Sequence, residues 1–89
     1  MFDAAIIWDD EPDGNVEHVA EHGLTPDEVD DVLTDDSLPV ERSDSSGRPC
    51  KFGWTSTGKH IIVIWDIVLK DPMTIYVSTA YEVPERIQE

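Results

Sequence analysis

Residues 15–29, N-V-E-H-V-A-E-H-G-L-T-P-D-E-V, dictate local structure almost position by position. They write two short helices with one turn between them. Gly23 stands where a first helix ends in the left-handed conformation that glycine adopts without strain. Thr25-Pro26-Asp27-Glu28 is a capping box. The threonine hydroxyl accepts from the N–H three residues on, the glutamate reaches back to the threonine N–H, and proline takes the first helical position, where no N–H is needed. Any fold for this chain must accommodate that corner, with Leu24 packed into its vertex.

Apolar spacing predicts the remaining elements. A first strand is expected over 4–8, ended by the turn residues of 9–14. Helix one is expected over 15–22, with Val16, Val19 and Ala20 as its apolar stripe and Glu17 and Glu21 facing out. Helix two is expected over 26–33, burying Val29, Val32 and Leu33, with Asp27 and Glu28 in the first turn where the helix dipole favours acids. Residues 34–49 are rich in turn formers, and a short strand is expected over 40–42. Strands then follow over 50–55, 59–68 and 73–80, with a hairpin at Thr57-Gly58. Ile61, Val63, Trp65 and Ile67 alternate with Ile62, Ile64 and Val68, so apolar side chains on both faces predict a central strand. Helices followed by a meander of strands imply an α+β domain: an N-terminal strand and two short helices packed on a 3–4-stranded antiparallel sheet.

Eighty-nine residues suit one small domain, whose single core buries roughly 60–65% of the unfolded chain's surface. Cys50 is the one cysteine, which excludes an intrachain disulfide, and it reads as an inert strand residue. No basic leader opens the chain and no apolar run nears the ~20 residues of a membrane span, so a cytoplasmic protein without membrane contact is expected. Net charge is −14 and unevenly spread. Residues 1–41 carry fourteen acids and no lysine or arginine, while residues 42–89 carry six acids and all six basic residues. An acidic helical face repels nucleic acid phosphates and attracts basic protein, so RNA has to meet the second half.

The order of elements, joined to Trp8-Asp9, Asn15-x-x-His18, His22-Gly23-Leu24-Thr25-Pro26-x-Glu28-Val29, Gly53-x-Thr55-x-x-Gly58-Lys59 and Thr79-Ala80, resembles the BrnT-type toxins of bacterial type II toxin–antitoxin modules. The likeness spans nearly the whole chain. It implies a RelE-like ribonuclease fold and a metal-independent endoribonuclease, without cofactor, held inactive by a cognate antitoxin. Two departures stand out. BrnT-like sequences commonly place an arginine after the Thr/Ser-Ala of the last strand, where this chain has Tyr81, and they are usually basic or mixed in charge.

Metal-free RNA cleavage needs an acceptor for the ribose 2′-OH proton, cations for the charge that builds at phosphorus, and an acid for the 5′-oxygen. Lys51, Lys59 and Arg48 flank the first hairpin and are the candidate phosphate cations; Lys51 and Lys59 match the basic strand positions that the family associates with activity. His60 and Tyr81 are the candidates for proton transfer, and Tyr81 can also stack on a base. Alanine at both Lys51 and Lys59 is then expected to abolish RNA cleavage without unfolding the domain. His18 and His22 have the i, i+4 spacing that lets two imidazoles share a metal, but without a glutamate in the zincin arrangement or a third ligand they read as helix-end and packing residues. Trp8, Trp54 and Trp65 read as core or sheet-packing residues, and Arg86 as a partial substitute for the missing arginine. Two other readings stand beside the toxin: a non-catalytic acidic module that binds a basic protein, and, from charge alone, a nucleic-acid mimic. Self-association into a homo-oligomer is left open by the sequence.

Overall fold

The structure, a computed structural model, describes residues 4–85. Along the chain run β1 (Ala5–Ile7), α1 (Asn15–Glu21), α2 (Pro26–Leu33), β2 (Glu41–Arg42), β3 (Pro49–Trp54), β4 (His60–Lys70) and β5 (Met73–Glu82). The class is α+β, but the sheet is five-stranded and mixed, in the order β1-β5-β4-β3-β2. β2 to β5 form the expected antiparallel meander. The expectation of three or four antiparallel strands is corrected at the other edge, where β1 pairs parallel with β5 (Ala5 with Thr74, Ile7 with Tyr76). A parallel neighbour needs a crossover, and here the entire α1–β4 segment supplies it. Arg86 lies outside the described residues.

The helix–turn–helix corner forms as its sequence dictates. Leu24 N–H donates to Val19 C=O and Gly23 N–H to Ala20 C=O, both bonds of a Schellman ending, with Gly23 at φ 77°. Two residues after Gly23 the capping box begins, closed in both directions between Thr25 and Glu28. The helices cover one face of the sheet. Val19, Leu24, Val29, Val32 and Leu33 pack there on Ile61, Val63, Trp65, Ile75 and Val77. Gly53 permits this closeness, because a Cβ there would lie 2.5 Å from Leu38 Cδ1 and 3.4 Å from Val32 Cγ1. On the opposite face Cys50, Ile62 and Ile64 form a smaller cluster with Phe52 and Val83.

Two side-chain expectations are corrected. Ala20 is exposed, and the buried residues of α1 are Asn15 and Val19, with Val16 and His18 half-buried beside them. Ile67 and Val68 are exposed too, at 46% and 57%. β3 pairs with β4 only as far as Ile64, and the remainder of β4 runs on beyond the cover of the helices with β5 as its ladder partner.

Asn15 joins β1 to the rest. Its side chain is 2% exposed; Oδ1 accepts from Asp9 N–H (2.7 Å), and Nδ2 donates to the carbonyls of Ile7 (2.8 Å) and Val77 (3.1 Å). The bonds stand where the β1–β5 ladder stops, so the amide continues the stitching that the two strands no longer provide. Because a buried backbone group left without a partner costs about 1–3 kcal/mol, Asn15→Ala is expected to lower unfolding free energy by roughly 3 kcal/mol in urea titration. Asn15→Asp is expected to lose stability as well, since a carboxylate has no donor for the two carbonyls.

Candidate functional site

The five residues picked out by sequence do not gather in one place. Lys51 lies on the helix-covered face of β3 and is 2% exposed. Its Nζ donates to the carbonyls of Leu33 (2.8 Å) and Asp35 (3.1 Å), at the carboxyl end of α2 where unpaired carbonyls and the helix dipole favour a cation. Burial pushes its pKa below the ordinary lysine value, partly opposed by the charges of Asp36 and Asp35. Lys59 stands at the other end of the same helix. Its Nζ donates to Gly23 C=O (2.8 Å) and pairs with Glu28 Oε2 (3.0 Å). The eight residues of α2 thus stand between the two ammonium groups.

Glu28 is the centre of that second cluster. Oε1 accepts from Thr25 N–H (3.1 Å), Oε2 accepts from the Thr57 hydroxyl, and Lys59 approaches both oxygens. The Thr57 and Lys59 bonds, the capping bond and the Lys59 charge together hold the carboxyl below its ordinary value despite burial. A pocket of about 760 Å3 opens beside it, lined by Asp27, Asp30, Asp31 and Ser56 among others. It is acidic, and Asp31 already accepts from the Ser56 N–H and hydroxyl. Burial raises the Asp30 carboxyl above its usual range, while Trp8 nearby acts in the opposite sense. Among the described residues no three His, Cys, Asp or Glu side chains are grouped to hold a metal ion.

Arg48 is on the opposite face of the sheet. Its Nε pairs with Asp66 Oδ1 at 2.9 Å, and its Nη1 donates to Ser78 Oγ at 3.1 Å. His60 is six residues from Asp66 along β4, roughly 20 Å at strand rise. Its Nδ1 lies 3.2 Å from Val83 C=O, and its ring meets Trp54 at 5.0 Å between centroids. Trp54 is 55% exposed, contrary to the packing role expected for it, whereas Trp65 is buried in the core.

Tyr81 has a different set of neighbours. Its ring lies 5.8 Å from that of His22, and His22 lies edge to face with His18 at 5.4 Å. His18 Nε2 is in turn 3.1 Å from Thr79 Oγ1. These contacts arise because α1 runs beside β5 where β1 has left it: Asn15, His18 and His22 meet Val77, Thr79 and Tyr81 in succession. A shallow pocket of about 210 Å3 is shared by His18, Asp66, Tyr76 and Ser78, so the seam adjoins the residues that hold Arg48. Sequence reasoning assigned the histidines to packing. The signal that marks the seam is helical spacing at 15, 18 and 22 against strand spacing at 77, 79 and 81, and it becomes visible only once α1 is known to lie along β5.

Compared with protein-family models, curated proteins and solved structures, the chain matches none. Among the described residues no helix is long and apolar enough to cross a membrane.

The structural duties of the two lysines change what their substitution is expected to do. Lys51→Ala leaves two carbonyls without their ammonium partner and empties a buried volume, an expected loss of about 3 kcal/mol in urea unfolding, while Lys51→Met, which keeps the apolar stem, loses less. Glu28 generates a pH dependence. A carboxyl held below its ordinary 4.5 adds stability above that pH, and the contribution disappears as pH falls through the lower folded value. Glu28→Gln is therefore expected to reduce stability at pH 7 and to flatten the decline below pH 4.5, read from urea midpoints between pH 7 and 3.

Proposed function

We propose that this chain is a BrnT-like toxin component of a type II toxin–antitoxin module, a metal-independent endoribonuclease controlled by a cognate antitoxin. The observation that carries the reading is the meeting of separate signature motifs at Glu28. The Gly23 carbonyl and the Thr25–Glu28 box belong to one signature stretch and Lys59 to another, 31 residues beyond Glu28 and with Thr57 inside it, yet the two stretches are hydrogen-bonded to each other. Motif residues that interlock in this way are explained by a shared scaffold, and the scaffold is what the resemblance concerns. Activity then rests on groups other than the two lysines, since Lys51 and Lys59 are engaged with helix ends.

Charge bears on the partner. A molecule of net charge −14 attracts a basic protein and repels free RNA at long range. A basic antitoxin therefore fits it, and the complex is expected to weaken as salt rises. The second reading, a non-catalytic acidic module of the same fold that binds a basic protein, is favoured by the same charge and by the engagement of both lysines.

Induced expression and a purified-protein assay separate the two. The toxin reading expects growth arrest, relieved by the antitoxin, and degradation of bulk RNA in EDTA. Intact RNA at high protein concentration together with unimpaired growth would overturn it in favour of the binding module.

A further inference from the structure

We propose that the seam between α1 and β5 is a phosphodiester-cleaving site, with His18 and His22 as its acid–base pair, Arg48 as its phosphate cation and Tyr81 as its base-stacking platform; the assignment rests on the ribonuclease reading above.

The seam has the parts that metal-free cleavage of RNA requires. Two imidazoles lie with ring centroids 5.4 Å apart, close enough for both to address one phosphodiester group. Next to them is the aromatic ring of Tyr81, half-exposed and therefore open to a nucleobase. Ser78 is the unpaired residue where the β4–β5 register shifts between Ile64 and Trp65, and it and Thr79 present adjacent hydroxyls to two different partners, Arg48 and His18. The guanidinium and the imidazole are thereby tethered to consecutive residues of one strand. In contrast to Lys51, Arg48 has a half-exposed side chain. Its Nε is paired with Asp66 and its Nη1 bonded to Ser78, so the planar guanidinium grips a phosphate by exchanging one of these surface partners for it.

The reaction follows from the order of these groups along the seam. With the base of the 5′-side nucleotide on Tyr81, its ribose lies beside His22. The neutral His22 imidazole accepts the proton of the 2′-OH, and the 2′-oxygen bonds to phosphorus. The bond between phosphorus and the 5′-oxygen breaks, its electron pair stays on that oxygen, and the His18 imidazolium supplies the proton. The products are a 2′,3′-cyclic phosphate and a 5′-hydroxyl. One proton has been taken up and one released, and exchange with water resets the pair. Glu21 Oε2 lies 4.0 Å from His18 Nδ1, at ion-pair but not hydrogen-bond distance. The chemistry needs no metal and no further reactant.

The test uses the full chain in EDTA with a short RNA whose ends are identified after cleavage. Wild type is expected to leave 2′,3′-cyclic phosphate and 5′-hydroxyl ends. His18→Ala and His22→Ala are each expected to lower kcat about 100-fold or more, the usual contribution of a general acid or base, and added imidazole should restore part of it. Arg48→Ala is expected to raise KM and lower kcat while the thermal midpoint stays near that of wild type. Rescue by imidazole separates chemistry from folding, because a misfolded variant would not respond to it. If wild type cleaves RNA but both alanine variants keep activity within about threefold, the seam is not the site and the ribonuclease reading survives elsewhere on the molecule. If wild type leaves RNA intact, the ribonuclease reading falls and the seam assignment falls with it.

Discussion

The carboxylate of Glu28 joins the helix–turn–helix corner to the β3–β4 turn. It closes the cap of α2 through Thr25, accepts from Thr57 in the β3–β4 turn, and draws in Lys59, whose ammonium also binds the carbonyl at the end of the first helix. A buried carboxylate deprived of its partners is destabilising by several kcal/mol, so the corner and the hairpin are coupled through it. Lys51 repeats the principle at the far end of α2. There an ammonium almost without solvent satisfies carbonyls that a helix end would otherwise leave open. Between them the two lysines hold both ends of α2 on the sheet.

Charge segregation along the sequence acquires a structural meaning from these bonds. The acidic first half supplies Glu28 and the carbonyls of the helix ends, and the second half supplies the cations that bind them. Two of the six basic residues are absorbed in this way, and a third, Arg48, pairs with Asp66 on the other face. What remains outward is strongly acidic. Such a surface discourages free nucleic acid and suits a basic protein partner.

The seam between α1 and β5 exists because β1 is short. After Ile7 the chain leaves the sheet, Asn15 secures the point of departure, and α1 takes over as the neighbour of β5. A helix laid along a strand edge both covers the edge and sets its own inward residues against alternate strand residues. His18 and His22 thus come to lie beside Thr79 and Tyr81, next to the hydroxyl of Ser78 that receives Arg48.

Local chemistry was legible in the sequence. The Schellman glycine, the capping box, the boundaries of α2, the central character of β4 and the antiparallel run from β2 to β5 all depend on residues a few positions apart, where backbone sterics and short-range hydrogen bonds decide the outcome. The parallel pairing of β1, the exposure of Trp54 and of the outer half of β4, and the inward turn of Asn15 were not legible, because each depends on which surfaces meet across tens of residues. The lysines illustrate the difference most clearly. By sequence alone Lys51 and Lys59 are basic residues on strands next to a hairpin, equally suited to solvent, phosphate or a helix end. The pleat of β3 places Lys51 beneath α2, and the β3–β4 turn brings Lys59 against Glu28; only tertiary structure chose helix ends for both. The same packing brought the histidines, read from sequence as structural, to a seam with Tyr81 and the residues that hold Arg48. The sequence by itself determined the local elements and the imbalance of charge, since both follow from neighbouring residues and composition. Which charged groups are buried as supports and which stay open was decided by the tertiary structure, since burial is a property of surfaces that the chain brings together only on folding.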